Sequence, residues 1–481
     1  MLGDRLAERL TARLRQRACP NHWSFLFGVV TVACLAVLTL TGAVLMYFYD
    51  PAATTVRYQG SYPPLRGVEL SRALESTLRI SFEVRAGLLV RQTHHWAALL
   101  LPASVIMQLL TTFFTGAFRR PRQWAWVLLF GVFALALVGG WSGYALPDDS
   151  LSGTGLRIVQ GVVLGLPLVG TWLSTMIFGG EFPGQVLRHL YLLHVVVVPP
   201  LLVLLLVLRR RLANRDGPPQ FPGPGRTEGN VVGLPLWPAG AVRAGGLFLL
   251  TAGVLVTMAG TLTVAPVWLY GPASAGNASA GSQPDWYTGF LDGALRLVPS
   301  GWEVVWLGRT WTFAVLAPLA VVSLFLALVL LYPFLEARVS GDRHVHHLLD
   351  RPRDAPGRTA VGVAGLTFYG TLWAAGSADL VATQFWVGVE DVVRVLRVSL
   401  VVAPLLAFLI TRRVCLTLQA QDRERVEHGT ESGQLLRSPD GGYAEVRTPL
   451  ASANPHPDPP GAYSAGTQTR MAPSSRLPQR K

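Results

Sequence analysis

Charged residues are scarce in this chain. Asp, Glu, Lys and Arg make up 14% of its 481 residues, against about a quarter in ordinary soluble domains. That scarcity excludes a solvated surface of the usual kind, and the 51% of residues that are hydrophobic point to lipid as solvent. Cysteine is nearly missing as well. Cys19, Cys34 and Cys415 are scattered with no C-x-x-C spacing, which argues against a thiolate metal site and a disulfide framework. No glycine-rich phosphate loop occurs, so nothing points to a nucleotide. There is also no short apolar region with a small-residue cleavage site at the start. An arginine-rich amphipathic segment runs straight into a full-length apolar span, which is expected to stay in the membrane.

The net charge of +13 raises the question of a nucleic-acid partner. The arginines, however, lie beside apolar stretches instead of forming a basic face interleaved with aromatics, so they read as topology signals and no nucleic acid is expected. A bilayer core needs roughly 20 apolar residues as helix. Eight segments qualify, at residues 23–48, 92–115, 124–144, 190–208, 245–268, 311–334, 359–378 and 396–411. A ninth apolar stretch, Leu156 to Phe178, is broken by Gly161, Gly165, Pro167 and Gly170. Short cytoplasmic loops carry the basic excess. With eight spans, Arg5, Arg9, Arg13, Arg15 and Arg17, the loop of Arg119, Arg120 and Arg122, Arg209–Arg210–Arg211 and Arg412–Arg413 all fall on one side. A ninth span would break that pattern, so residues 150–180 are expected as surface helices on the outer face.

The expected architecture is an all-α integral membrane protein of eight transmembrane helices with cytoplasmic termini. An amphipathic segment (1–22) precedes a four-helix bundle (23–211). A Pro/Gly-rich junction (212–244, containing PPQFPGPG) leads to a C-terminal four-helix domain (245–414), and the tail (415–481), poor in apolar residues, is expected to be largely disordered.

Ionisable side chains at membrane depth are costly and mark function. His94 and His95 open the second span, and His194 lies near the start of the fourth. Both helices run inward from the outer face, so His94 and His194 share a depth. Two facing imidazoles in a four-helix bundle suit a b-type haem; a histidine that merely hydrogen-bonds within the packing is the plainer alternative.

Context favours the haem. The run VRQTHHWAALLLPASVIMQLLTTFFTGAF at Val90–Phe118, GYALPDDSLSGTG after the third span and QFPGPGRTE after the fourth resemble the cytochrome b subunit of bc1-type complexes in its actinobacterial form. So do GSQPDWY between the fifth and sixth spans, and YPFLEARVSGD and RPRDAPGRT after the sixth. The resemblance covers about residues 22 to 450. It implies an outer haem b bound by His94 and His194, with His95 and His189 as less favoured competitors. Arg91 is a candidate partner for a haem propionate, or else an interfacial anchor.

In that family a second, inner haem takes histidines about 14 residues further along the same helices, a spacing of about 21 Å on nearly the same face. Here those positions hold Gln108 and Leu208, with Arg209 next. The family's paired glycines are matched by Gly28 and Gly42 on the first helix. On the third, Gly143 is present, but its inner counterpart is Leu129, with Gly131 nearby. One haem is therefore expected, with the inner site lost, because amide and guanidinium are poor substitutes for imidazole.

Pro284-Asp285-Trp286-Tyr287 matches the family's quinol-oxidation motif, with Asp285 as proton acceptor and Tyr287 shaping the pocket. Tyr144 and Pro147 resemble its opposite wall. The resemblance further implies menaquinol as substrate, a Rieske iron-sulfur subunit and a cytochrome c subunit as partners, a homodimeric complex and a plasma-membrane location. With the inner haem missing, a full Q-cycle is in doubt. The alternative function is a noncatalytic scaffold or regulatory paralogue. A carrier is disfavoured, since no midplane charges or broken helices stand out. His344, His346 and His347 fall in a cytoplasmic loop and are expected to be solvated.

Overall fold

The structure is a computed structural model that describes residues 17–179, 184–274 and 284–448, and the backbone of 463–464. The expected arginines Arg5, Arg9, Arg13 and Arg15, the Gly281–Gln283 end of the loop motif and most of the tail beyond 448 lie outside the described residues.

The apolar runs fold as helices. In chain order they are α1 (Phe27–Phe48), α2 (Arg72–Phe82), α3 (Gly87–Phe114), α4 (Gln123–Ala145), α5 (Ser150–Leu164), α6 (Gly170–Phe178) and α7 (Val186–Asp216). The second half holds α8 (Ala241–Thr261), α9 (Gly289–Arg296), α10 (Phe313–Ser340), α11 (Pro356–Gly376), α12 (Ala378–Phe385) and α13 (Val389–His428). Seven of them, α1, α3, α4, α7, α8, α10 and α13, are long and apolar enough to cross a bilayer. The remaining expected span, 359–378, is α11. Its 21 residues give about 31 Å of helix, but glycines and threonines dilute its apolarity, and it packs along α13 and α9.

The expected surface segment splits at residues 165–169 into α5 and α6, each too short to cross a bilayer. Asp149 caps α5, accepting from Leu151 N at 3.1 Å and from Ser152 Oγ at 2.6 Å. Beyond residue 415 order continues further than composition suggests. Helix α13 runs to His428, and Thr430–Arg437 pairs with Tyr443–Thr448 as a hairpin. Ion pairs Arg447–Glu424 and Arg353–Asp422 hold this extension.

Helices α1, α3, α4 and α7 form the first bundle. Its core is small and interlocked: Cys34, Ala97, Leu101, Val105, Trp126, Leu129, Val132, Ala136, Val198 and Leu202 are buried together. The Trp126 indole donates to Val329 O at 3.0 Å and Gln123 Nε2 to Pro333 O at 3.2 Å, joining the bundle to α10. The junction is also tied down. Gln220 N donates to His347 O and Leu349 N to Gln220 O, both at 2.9 Å. Such bonds satisfy backbone groups that irregular chain would otherwise leave open.

Candidate functional site

The bundle has two ends of contrasting chemistry. At one, His94 from α3 and His194 from α7 face each other with ring centroids 6.1 Å apart. Two imidazoles bound to one metal at about 2.0–2.1 Å each, with roughly a further 1 Å from nitrogen to ring centre, would place their centroids about 6 Å apart. The hydrogen bonds decide the tautomers. The Thr41 hydroxyl gives its proton to Val37 O at 2.6 Å and so accepts from His94 Nδ1 at 2.9 Å. His194 Nδ1 donates to Gly139 O at 2.9 Å, with Ser142 Oγ 3.2 Å away. Both Nε2 atoms are then free of protons, the state a metal-bound imidazole needs.

Gly42 and Gly143 stand directly behind these rings. A Cβ on Gly42 would lie 3.2 Å from His94 Cε1, and one on Gly143 would lie 2.6 Å from His194 Cε1. His194 falls in a π-helical turn, Leu193–Val197, within α7. Such single turns absorb one extra residue and often mark sites.

Arg91, one turn before His94, donates from Nη2 to Ala265 O at 2.5 Å and lies 5.8 Å over the Trp268 ring. Its Nη1 is buried without a hydrogen-bond partner. A buried donor in that condition is costly, and a carboxylate such as a haem propionate would satisfy it. The donor set therefore fits a bis-imidazole haem.

A cavity of about 370 Å³ opens at this level. His94, His194, Gly42, Gly143 and Arg91 line it, and so do Asp285, Tyr287, Tyr144 and Pro147. Residues on four helices and on the loop before α9 thus share one space. Pro284 and Trp286, expected in the same pocket, do not line it; Trp286 is held by its carbonyl, which accepts from Trp373 Nε1 at 3.0 Å. Tyr287 is fully buried against Gly140, where a Cβ would fall 2.5 Å from its hydroxyl oxygen. Its hydroxyl donates to Asp285 Oδ2 at 2.9 Å. Burial, and next the Asp285 charge, push the Tyr287 hydroxyl well above the usual range, so it stays a donor.

His95, weighed from sequence only as a rival of His94, instead meets Asp285: its Nε2 lies 3.3 Å from Oδ1. Adjacent helical residues point about 100° apart, so both histidines cannot face one iron. That geometry was the available signal. In the turn after α4, burial pushes the Asp148 carboxyl up to about 6, with a hydrogen bond from Ser71 opposing and Asp149 reinforcing the shift. Burial raises Asp149 too, against its cap bonds.

The opposite end is packed. Gln108 donates from Nε2 to Thr31 Oγ1 at 2.7 Å and accepts from Arg209 Nη1 at 2.8 Å. The Thr31 and Ser104 hydroxyls are 2.7 Å apart. Arg209, not Leu208, makes the contact, as the extra residue in the π turn requires. Leu129 is 1% exposed, and Leu205 Cδ1 lies 3.1 Å from where a Gly131 Cβ would be. Gly28, Gln108, Leu129 and Arg209 do not line the cavity. No imidazole stands at this end: the Gln108 amide is bonded at both its oxygen and its nitrogen, and a guanidinium has no lone pair to give a metal.

Residues 99–272 match the family profile described as cytochrome b (N-terminal)/b6/petB. The chain is 43% identical over 464 residues to the cytochrome bc1 complex cytochrome b subunit of Streptomyces coelicolor, covering 94% of this chain and 85% of that one. It is 43% identical over 452 residues to the subunit of that description from Mycobacterium tuberculosis, covering 93% and 81%. Among solved structures it is similar in fold to a chain of a hyperthermophilic respiratory complex III, with a TM-score of 0.60, 19% identity, and coverage of 83% and 92%.

Proposed function

The chain belongs to the cytochrome b family, as an integral membrane subunit of the bc1 type, and on that premise we propose that it oxidises quinol at the histidine end of the bundle with a single haem b. The observation that carries this reading is the shared cavity, in which the His94–His194 pair, Arg91 and the Asp285–Tyr287 pair line one space. When bound, a haem b supplies a one-electron acceptor beside the quinol. His94 and His194 would hold it through unprotonated Nε2 atoms, and the open Nη1 of Arg91 would take a propionate.

A quinol that gives up electrons must also give up protons. Asp285 accepts a hydroxyl proton through a carboxylate whose Oδ2 is already fixed by Tyr287. Tyr287 orients the carboxylate and stays protonated. Tyr144 and Pro147 close the other wall and help keep water out. The histidine end faces the outer side of the plasma membrane, and menaquinol is the substrate. A Rieske iron-sulfur subunit and a cytochrome c subunit take up electrons in a homodimeric complex.

At the other end the Thr31–Gln108–Arg209 chain and Leu129 support a missing second haem. A quinone at the far face would then be about 21 Å from the haem-bearing level, and a full Q-cycle would not run through this chain.

Haem b per polypeptide, measured by pyridine haemochrome on detergent-purified protein together with a redox titration of the reduced α band, tests the reading. One haem with a single potential, lost in His94→Ala and in His194→Ala, is the expected result. Two haems would overturn the one-haem assignment, and none would replace it with the noncatalytic scaffold.

A further inference from the structure

Asp285 opens a short 3-10 turn, Trp286–Thr288, from the N-cap position, yet its side chain makes no capping bond. Asp at that position ordinarily bonds the backbone N–H groups that follow. Here the backbone carbonyl alone serves the turn, accepting from Thr288 N and Thr288 Oγ1, both at 3.0 Å. The carboxylate is turned away instead, towards α3. Tyr287 holds Oδ2 at 2.9 Å, and His95 Nε2 stands 3.3 Å from Oδ1. Side-chain exposures of 19% for His95 and 15% for Asp285 leave little water to compete for those oxygens.

Resting on the quinol reading above, we infer that His95 is a positioning residue for Asp285. It donates from Nε2 to Oδ1 and keeps the carboxylate aimed into the cavity instead of down onto its own turn. The pair spans the two halves of the chain, 190 residues apart, so it also sets the loop before α9 against the haem-bearing helix. Consecutive residues of α3 thus divide the work: His94 faces His194, and His95 faces the proton acceptor. Without the His95 donor, Asp285 Oδ1 loses its hold and the side chain is free to turn back onto its own turn. A proton acceptor displaced by about 1 Å loses up to about a hundredfold in rate, while quinol affinity, set by the rest of the pocket, changes little.

The test is steady-state quinol oxidation by the intact complex containing this chain, with haem content and α-band potential measured on the same preparations. His95→Leu is expected to lower kcat tenfold to a hundredfold with KM within about twofold, and with haem content and potential unchanged. His95→Gln, which keeps an N–H near the Nε2 position, should recover most of the rate. The double variant His95→Leu/Asp285→Asn should be no slower than Asp285→Asn alone. An unchanged kcat in His95→Leu beside a strong loss in Asp285→Asn would overturn the positioning role and leave the quinol reading standing. An unchanged rate in Asp285→Asn, or no quinol oxidation by the unmodified complex, would overturn both. A loss in His95→Leu that His95→Gln does not recover would also sink the inference, because packing alone would then explain it.

Discussion

Two levels of one bundle, built by the same helices and about 21 Å apart by residue spacing, have been resolved in opposite ways. At the histidine level, polar groups are left aimed into space: the two Nε2 atoms that the Nδ1 hydrogen bonds leave bare, and an unpartnered Arg91 Nη1. At the arginine level Gln108, Thr31, Ser104 and Arg209 satisfy one another, and leucines fill what remains. A site awaiting a ligand carries open hydrogen-bonding capacity, whereas a structural core closes it. The contrast separates an end left open to a ligand from an end closed by packing.

The comparison can be broken most directly at its glycines. Gly143→Ala would put a methyl carbon 2.6 Å from a ring that Gly139 O already pins, and should abolish haem binding as read by the α band. Gly131→Ala meets only the movable end of Leu205 at 3.1 Å and should leave the haem intact. If both variants keep the haem, the tight fit at the histidine level is not needed. Rebuilding the other end is the next largest effect. A variant carrying Gln108→His, Arg209→His and Leu129→Gly restores two imidazoles and removes bulk, so haem content should rise from one towards two per chain. The choice of Arg209 over Leu208 is itself checked by exchanging the fourth-helix site: Leu208→His should not substitute.

A smaller effect is expected from Gln108→Leu. It strips Arg209 and Thr31 of a shared partner, costing about 1–3 kcal/mol, and should lower the thermal midpoint with no change in haem. An equal or higher midpoint would mean that the polar chain contributes nothing to stability.

The smallest effect concerns the turn after α4. The folded Asp148 carboxyl is raised to about 6, whereas an unfolded Asp titrates near 3.9. The folded state therefore binds the proton more tightly, and this group's contribution to stability falls as pH rises from about 4 to about 6. Asp148→Asn removes that loss and tolerates the left-handed backbone at this position, φ 55°. Its midpoint should exceed the parent's by a few degrees at pH 7 and match it near pH 4. A constant difference across that range would rule the titration out.

Much of this was legible before any coordinates. Apolar runs of bilayer length placed the spans, and the broken stretch at 150–180 proved to be two short helices. The depth shared by His94 and His194, and the loop motif ending in Tyr287, placed both halves of the candidate site. Other features were hidden. Helix α11 resembles a span in length but not in apolarity, and the hairpin at Thr430–Thr448 lies in a segment whose composition suggested disorder. Pro284 and Trp286 sit in the motif yet outside the cavity, because the turn that presents Asp285 carries its neighbours away from it.

The sequence by itself determined the membrane habit, the family, the imidazole pair and the lack of imidazoles at the other end, because hydropathy and helical spacing are properties of residues near one another in the chain. Only the tertiary structure decided that Arg209 occupies the second level, that Gly140 yields its face to Tyr287 and that His95 meets Asp285. Each depends on a register or a contact between segments far apart in the chain. A π turn shifts every later side chain of α7 by one residue, and a pairing across 190 residues is set by how two halves pack, which no local pattern encodes.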